Sequence, residues 1–365
     1  MSVEQLNILN FRNLANSKLK FHPKLNLIVG ENGSGKSSIL EAIFYLAHGK
    51  SFRTTKAEHI VTHNKKQFVV NIHSSSKVSL GISKDFISKI LEIKVNGQRI
   101  NKLSELAKNI AVQIVTPESF KLFFGGPKER RRFIDLGLFH VKHDFSNKWS
   151  KFGKLHKQRN ACLRHKVTSA ELSYWTDEFC IYSQILATDR ADYIDKLQDE
   201  LVKWLSILLP KLSDKIKIHY TRGWSANRKL VDVCLENNER EKIVGYSISG
   251  AHKFDVKFTL NKQPLDLVIS RGQQKLFLLA LTFAQAKLIE QVKQVKPILL
   301  IDDVGAELDI GSRTSLAKAI AALECQVVAT AINEIDLDPL IQQSTVDNKD
   351  NYKMFHVKHG EISIE

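Results

Sequence analysis

Eight consecutive residues, Gly30-Glu31-Asn32-Gly33-Ser34-Gly35-Lys36-Ser37, fit the pattern G-x-x-x-x-G-K-[ST]. Before them, Leu25-Asn26-Leu27-Ile28-Val29 reads as a buried strand. After them, Ser38 to Leu46 has apolar residues at helical spacing and no breaker. Strand, glycine-rich loop and helix in that order confine the chain to an α/β fold built on a P-loop. The chemistry follows from residue type. Gly30, Gly33 and Gly35 release the backbone so that several N–H groups can point at one phosphate. The helix N-terminus adds a favourable field for an anion. Lys36 is expected to reach the β- and γ-phosphates and the Ser37 hydroxyl to ligate Mg²⁺. Glu31, Asn32, Ser34 and Ser38 complete the cradle, and the expected ligand is a nucleoside triphosphate.

At 365 residues and 43% hydrophobic, the chain can bury one large core and one smaller one. No run of 18 apolar residues occurs, so no membrane span is expected. The start, Met1-Ser2-Val3-Glu4-Gln5, lacks the layout of a signal peptide. Four widely spaced cysteines, Cys162, Cys180, Cys234 and Cys325, form no C-x-x-C pair, which points to a reducing, cytoplasmic compartment. Thirteen histidines show no metal-ligand spacing. Lys and Arg number 54 against 39 acids, a net +15, and so basic a chain is expected to meet a polyanion.

Residues 3–29 read as a strand pair followed by the P-loop strand. Phe11-Arg12-Asn13-Leu14 forms the hairpin tip, where Arg12 and Asn13 are either solvated turn residues or nucleotide contacts. Short alternating strands follow from Gln67 to Val95, and Asn96-Gly97 is a strong hairpin signal. At Gly125-Gly126-Pro127 the texture changes. Helical patterning runs to about residue 209, with a stripe of apolar residues at 3-4 spacing from Ser169 to Leu208. The segment is basic: Arg130-Arg131-Arg132 opens it, Lys148, Lys151, Lys154 and Lys157 recur every three residues, and Arg159, Arg164 and Lys166 follow. These lysines make either a solvated face or a phosphate-tracking stripe, and Arg53 of the basic loop Gly49–Thr55 is a further candidate DNA contact. Strands return from Ile216, and Gly250 to Phe258 alternates cleanly.

Ile298-Leu299-Leu300-Ile301 ends in Asp302-Asp303, the pattern of a Walker B strand. A buried strand delivers such carboxylates beside the P-loop. Asp302 is expected to hold Mg²⁺, and Asp303 to orient or deprotonate the attacking water, acting catalytically with Lys36. Asp302 to Gly305 also fits D-x-x-G, but no N-K-x-D guanine reader follows, since Asn348-Lys349-Asp350 has the wrong order; adenine is the expected base. Ser270-Arg271-Gly272-Gln273 begins a helix and makes a second anion nest. A second nest is useful if it closes over the γ-phosphate held by another copy. That is the ABC arrangement, two ATPs sandwiched in a head-to-tail pair.

Phe11–Leu14, the P-loop, Ser51-Phe52-Arg53-Thr54, Gly125-Gly126-Pro127 with Arg131-Arg132-Phe133-Ile134-Asp135, Ser270–Gln273 and Leu300–Asp303 together resemble the RecF family of bacterial DNA replication and repair proteins. The resemblance covers essentially the whole chain. It implies an α/β ABC-type P-loop ATPase head, a mixed sheet flanked by helices, related to SMC heads and carrying an inserted α-helical lid. The head's first half would span 1–125, the lid 126–210 and the second half 211–365. It also implies an ATP-dependent homodimer, a weak DNA-stimulated ATPase, and binding to double-stranded, gapped and single-stranded DNA. Work with RecO and RecR to load RecA, and a part in the SOS response, are implied as well. Three stretches depart from pattern. Gly250-Ala251-His252-Lys253 stands where the family usually has G-P-H-R, and Lys cannot make the bidentate phosphate contact of Arg. Asp303 replaces the Glu of ABC ATPases at large, and Thr330 stands in place of a switch His. The competing readings are the ATPase subunit of an ABC transporter, which explains neither the charge nor the basic insertion, and a small-molecule kinase, which explains neither the charge nor Ser270–Gly272.

Overall fold

The structure is a computed structural model, and it describes residues 2–101, 103–165, 167–293, 296–345 and 351–364. Lys166 of the basic run and Asn348–Asp350 lie outside the described residues. Two compact units emerge: Met1–Phe120 with Lys203–Ser213 and Ser270–Glu365, and Lys121–Val202 with Asp214–Ile269.

The first unit is an α/β head. Its central sheet runs in the order Glu361–Ile364, Tyr352–Lys358, Leu25–Val29, Gln326–Ala331, Ile298–Ile301, Val112–Val115. All neighbours are parallel except the edge pair Tyr352–Lys358 and Glu361–Ile364. Leu25–Val29, Ile298–Ile301 and Gln326–Ala331 are buried along their whole length, which is why they read as continuous apolar runs rather than alternating ones. A second, antiparallel sheet contains Val3–Leu9, Gln67–Ser74 and Ser79–Asp85, and Gln67–Ser74 alternates between exposed and buried positions. Asn96 and Gly97 turn the Leu91–Val95/Gln98–Ile100 hairpin with φ of 50° and 81°, the left-handed pair that this dipeptide accommodates. The P-loop helix Lys36–His48 packs into the core shared by both sheets. Its Ile39, Leu40, Ile43 and Phe44 share one buried cluster with Ile8, Phe68, Val70 and Ile72 of the antiparallel sheet and Ile28, Leu300 and Val328 of the central sheet. Full burial of each such side chain contributes about 1.5–3 kcal/mol. Buried Gln326 joins the sheets: its Oε1 accepts from Val3 N–H at 2.8 Å and its Nε2 donates to Val3 O at 2.8 Å.

The second unit contains helices Pro127–Val141, Phe145–Arg164 and most of the 40-residue helix Ser169–Leu208. It is larger than the insertion read from sequence. Ile216–Thr221 and Asp255–Leu260 pair with each other in a small antiparallel sheet and belong to this unit, not to the ATPase head. The clean alternation also misplaced the strand's start, because Ala251–Lys253 is a 3₁₀ turn. Charged side chains fasten the parts of this unit to one another. Arg130 makes a bidentate pair with Asp255 at 2.9 and 2.9 Å. Arg190, 2% exposed, grips Asp135 and the Ala251 carbonyl and stacks on Phe254. Arg159, 1% exposed, donates to Glu241 at 2.6 Å, Ser247 at 2.7 Å and Thr176 at 3.0 Å. Part of the basic composition is therefore structural, since removing one partner of such a buried pair strands the other charge.

His156 and His252 stack beside this network with ring centroids 4.1 Å apart. Burial, then the charges of Arg159 and Lys253, pushes His156 down to about 4. Burial, then His156, pushes His252 down to about 3. Both lie below the ordinary value near 6.5, so the unfolded chain protonates first as pH falls. The stability of the neutral pair is present above about pH 6.5 and is lost progressively toward pH 3–4. Melting temperature is expected to fall between about pH 7 and pH 5, and less steeply in His156→Phe, which keeps the stack without the titrating ring. Equal slopes would remove the pair as a cause of acid lability.

Candidate functional site

The Leu25–Val29 strand delivers the loop at the end of the central sheet, and Gly35, with φ 122°, caps the helix beginning at Lys36. Two glycines are needed sterically. A Cβ on Gly30 would lie 2.3 Å from Val357 O, and one on Gly35 would lie 2.8 Å from Leu14 Cδ2. A cavity of about 680 Å³ opens here. Asn32, Gly33, Gly35, Lys36, Ser37 and Ser38 line it, as do Arg12, Asn13, Arg53, Asp302 and Asp303. Gly30, Glu31 and Ser34 belong to the loop without lining the cavity, and the buried Ser34 hydroxyl has no hydrogen-bond partner among the described residues.

Lys36, 8% exposed, folds back so that Nζ donates to Gly30 O at 2.5 Å and Glu31 O at 2.9 Å. Burial lowers its pKa below the usual lysine value, while Asp303 and Asp302 act the other way. Ser37 Oγ donates to Asp302 Oδ1 at 2.9 Å, although the two residues are 265 apart in sequence. Thr330 Oγ1 donates to the same carboxylate oxygen at 2.8 Å and accepts from Asp303 N–H at 2.8 Å. Thr330 therefore fixes both acids, which is a different job from that of a switch His. Ser37 and Asp302 offer hard oxygen donors, the chemistry that suits Mg²⁺. Among the described residues, no group of three or more His, Cys, Asp or Glu side chains could hold a metal. A cation here must complete its shell with phosphate and water, which is how Mg²⁺ is held in nucleotide sites.

The hairpin tip is both structural and cavity-lining. Asn13 Nδ2 donates to Gly33 O at 3.0 Å and its Oδ1 accepts from Ser38 Oγ at 3.0 Å, so it ties the loop to the helix. Arg12, at φ 55°, forks onto Glu41 at 2.8 and 2.6 Å. Ser51 Oγ also donates to Glu41, and Arg53 lies 3.8 Å from it. Glu41 is fully buried and organises three cavity-side segments. No motif spacing announces Glu41; its signal in the sequence is an acid set among the apolar residues of the P-loop helix.

Ser270–Gln273 does not line the cavity. Ser270 Oγ accepts from Gln273 N–H at 3.3 Å and Gln273 Oε1 accepts from Ser270 N–H at 3.0 Å, a reciprocal capping box on the helix Arg271–Lys293. Ser270 and Arg271 are exposed. The loop after Asp302 is strained: Asp303 and Glu307 have φ of 58° and 68°, costing on the order of 1 kcal/mol each. Lys275 and Arg313, also missed from sequence, hold this loop. Gln113 is buried on the strand Val112–Val115, does not line the cavity, and its Nε2 has no hydrogen-bond partner among the described residues.

The four lysines of the basic stripe share the helix Phe145–Arg164. Lys148 is held by Asp144 at 2.7 Å and Asp189 at 3.1 Å, which raise its pKa. Lys151 sits 4.5 Å from the centroid of the Tyr182 ring, and Lys151, Lys154 and Lys157 are exposed. Arg130 and Arg131 are engaged within the unit, Arg131 with the Phe254 carbonyl at 3.1 Å.

The family model described as RecF/RecN/SMC N terminal domain matches residues 2–354. A protein of Colwellia psychrerythraea named DNA replication and repair protein RecF is 57% identical over 99% of this chain and 97% of its own length. One of the same name from Pseudoalteromonas translucida is 38% identical over 99% of both. A solved structure of a recombination mediator protein, RecF with ATP in the RecFOR pathway, superposes with a TM-score of 0.83 at 24% identity, covering 100% of this chain and 97% of that one. An SMC head bound to the winged-helix domain of ScpA gives 0.59 at 17% identity over 100% and 97%. These likenesses make the fold an ABC-type ATPase head with an added helical unit. Among the described residues no helix is long and apolar enough to cross a membrane.

Proposed function

This chain belongs to the RecF family of DNA replication and repair proteins, and from that premise we propose that it is an ATP-switched DNA-binding protein of recombinational repair. The observation that carries the reading is the meeting of Ser37 and Asp302 beneath the P-loop, with Lys36 and Asp303 on the same cavity. Lys36 and the loop N–H groups would hold the phosphates, and Ser37 and Asp302 the Mg²⁺. Asp303 would orient or deprotonate the attacking water, and an Asp there, shorter than Glu by one methylene, fits slow hydrolysis. The exposed Ser270–Gln273 helix start would complete the site of a second copy head to tail, so that ATP closes a homodimer on DNA and hydrolysis releases it. Membership of the RecF family, one of whose structures was solved with ATP in the RecFOR pathway, supports ATP as the nucleotide; work beside RecO and RecR in loading RecA would follow from that membership. Family membership leaves the transporter-subunit reading without support.

The DNA-facing cations of this reading are Lys151, Lys154 and Lys157 of the helical unit, with Lys148 engaged by Asp144 and Asp189; Arg53, which lines the nucleotide cavity, is a separate candidate contact on the head. Gapped, double-stranded or single-stranded DNA would meet them through phosphates, so binding should weaken steeply with salt. Replacing Lys151, Lys154 and Lys157 together by Ala is expected to weaken binding to all sequences alike. It should reduce the slope of log affinity against log salt by up to about 3, near 0.9 per lost contact. Filter binding or anisotropy across about 50–200 mM salt with ATP reads this, and an unchanged slope removes the stripe from the interface.

A further inference from the structure

Eight residues, Asp302 to Asp309, join the strand Ile298–Ile301 to the helix Ile310–Ala322. Two cations from two different helices grip the carbonyls of this loop. Arg313, on the helix that follows it, donates to Gly305 O at 3.2 Å and Leu308 O at 3.0 Å and pairs with Asp336 at 2.8 Å. Lys275, from the Arg271–Lys293 helix, donates to Asp303 O at 2.6 Å and Ala306 O at 2.5 Å. Lys275 is 6% exposed and does not line the nucleotide cavity. It lies five residues after Ser270, the cap of its helix. The helix start is also seated directly on the loop, because a Cβ on Gly272 would lie 2.8 Å from Glu307 O. The first turn and a half of this helix and the backbone of Asp303 are thus one mechanical piece, braced against two left-handed residues.

We propose that Lys275 is a positioning residue that couples the two nucleotide sites of a dimer: it transmits the seating of one copy's Ser270–Gln273 on its partner's ATP to the backbone of its own Asp303, so that hydrolysis at one site depends on occupation of the other. The inference rests on the head-to-tail reading given under Proposed function. Lysine suits the task because a buried ammonium supplies several donors from one point. It can hold two carbonyls of a turn that no N–H ladder satisfies. Asp303, Glu307 and Asp302 favour its charged form, although burial opposes it and sets the net direction downward. Arg313 supports the same loop from the other side and, among the described residues, donates its hydrogen bonds to the loop and to Asp336 rather than to the Ser270 helix, so it serves as the internal control.

The test compares wild type, Lys275→Met, Lys275→Arg and Arg313→Gln in the full chain with ATP and Mg²⁺. Lys275→Met should bind a fluorescent ATP analogue within about threefold of wild type, since the residue lies outside the cavity. It should lose at least tenfold in kcat, in line with the mispositioning of a group acting on water, and lose the cooperative dependence of rate on ATP concentration. Lys275→Arg should restore part of both. Arg313→Gln should lower kcat while keeping the cooperativity. If Lys275→Met is insoluble, Lys275→Gln is read in the same way. Cooperativity that survives in the Lys275 variants, or is lost equally in Arg313→Gln, overturns the coupling. A wild type that never dimerises with ATP would instead overturn the head-to-tail reading, and the coupling with it.

Discussion

Asp303→Asn is expected to lower the rate of ATP hydrolysis by about 100-fold or more, because a positioned general base contributes roughly 10²–10⁴-fold. ATP affinity should stay within a few-fold. The substitution is nearly isosteric, and Asn tolerates the left-handed φ of 58° that Asp303 adopts. The contacts that hold the loop run through the backbone of residue 303: its N–H to Thr330 and its carbonyl to Lys275. They survive the change, so only the carboxylate is lost. The variant should therefore accumulate as an ATP-bound dimer that keeps its DNA. Single-turnover hydrolysis with a nucleotide-binding control checks this, and a normal rate would remove Asp303 from the chemistry.

Lys36→Met should weaken ATP binding by about 10–100-fold, the loss of a charge-assisted phosphate contact worth roughly 1.5–3 kcal/mol. Met keeps the apolar stem in its buried slot and removes only the ammonium. That ammonium now donates to the Gly30 and Glu31 carbonyls, and it would exchange those bonds for phosphate oxygens. The pH dependence has a definite sign. The ammonium is the binding form and burial lowers its pKa. Wild-type affinity should therefore decline on the alkaline side below the ordinary lysine value of about 10.4, while Lys36→Met should lack that decline. Titration calorimetry across the alkaline range reads both effects, and an unchanged affinity would place the phosphates elsewhere.

The parts of the fold that were legible in sequence are those decided locally. The P-loop, the all-buried strands, the Asn96-Gly97 turn and the Ser169–Leu208 helix each carry their own pattern of period, breaker or special φ. The illegible parts were decided by partners far away in the chain. The alternation of Ile216–Thr221 and Asp255–Leu260 is the same whichever sheet they join. Arg130–Asp255, a pair 125 residues apart, ties them to the helical unit, and Arg159–Glu241, 82 residues apart, joins two helices within that unit. The same limit applies to charge. Arg130, Arg159 and Lys148 count toward +15 in sequence, yet each is engaged by a carboxylate. At the site, the motifs announced Lys36, Ser37, Asp302 and Asp303. Glu41, Lys275 and Arg313 act through neighbours and belong to no spacing that a motif records.

The central claim is that the P-loop is half of a site that a second copy completes. The most direct measurement is multi-angle light scattering of the wild-type chain with and without ATP and Mg²⁺, with Ser270→Arg as the control that blocks the partner's half without touching its own cavity. The account predicts about 41.5 kDa without nucleotide and twice that with ATP for wild type, and about 41.5 kDa in both conditions for Ser270→Arg. A wild type that binds ATP yet stays at the monomer mass would contradict it.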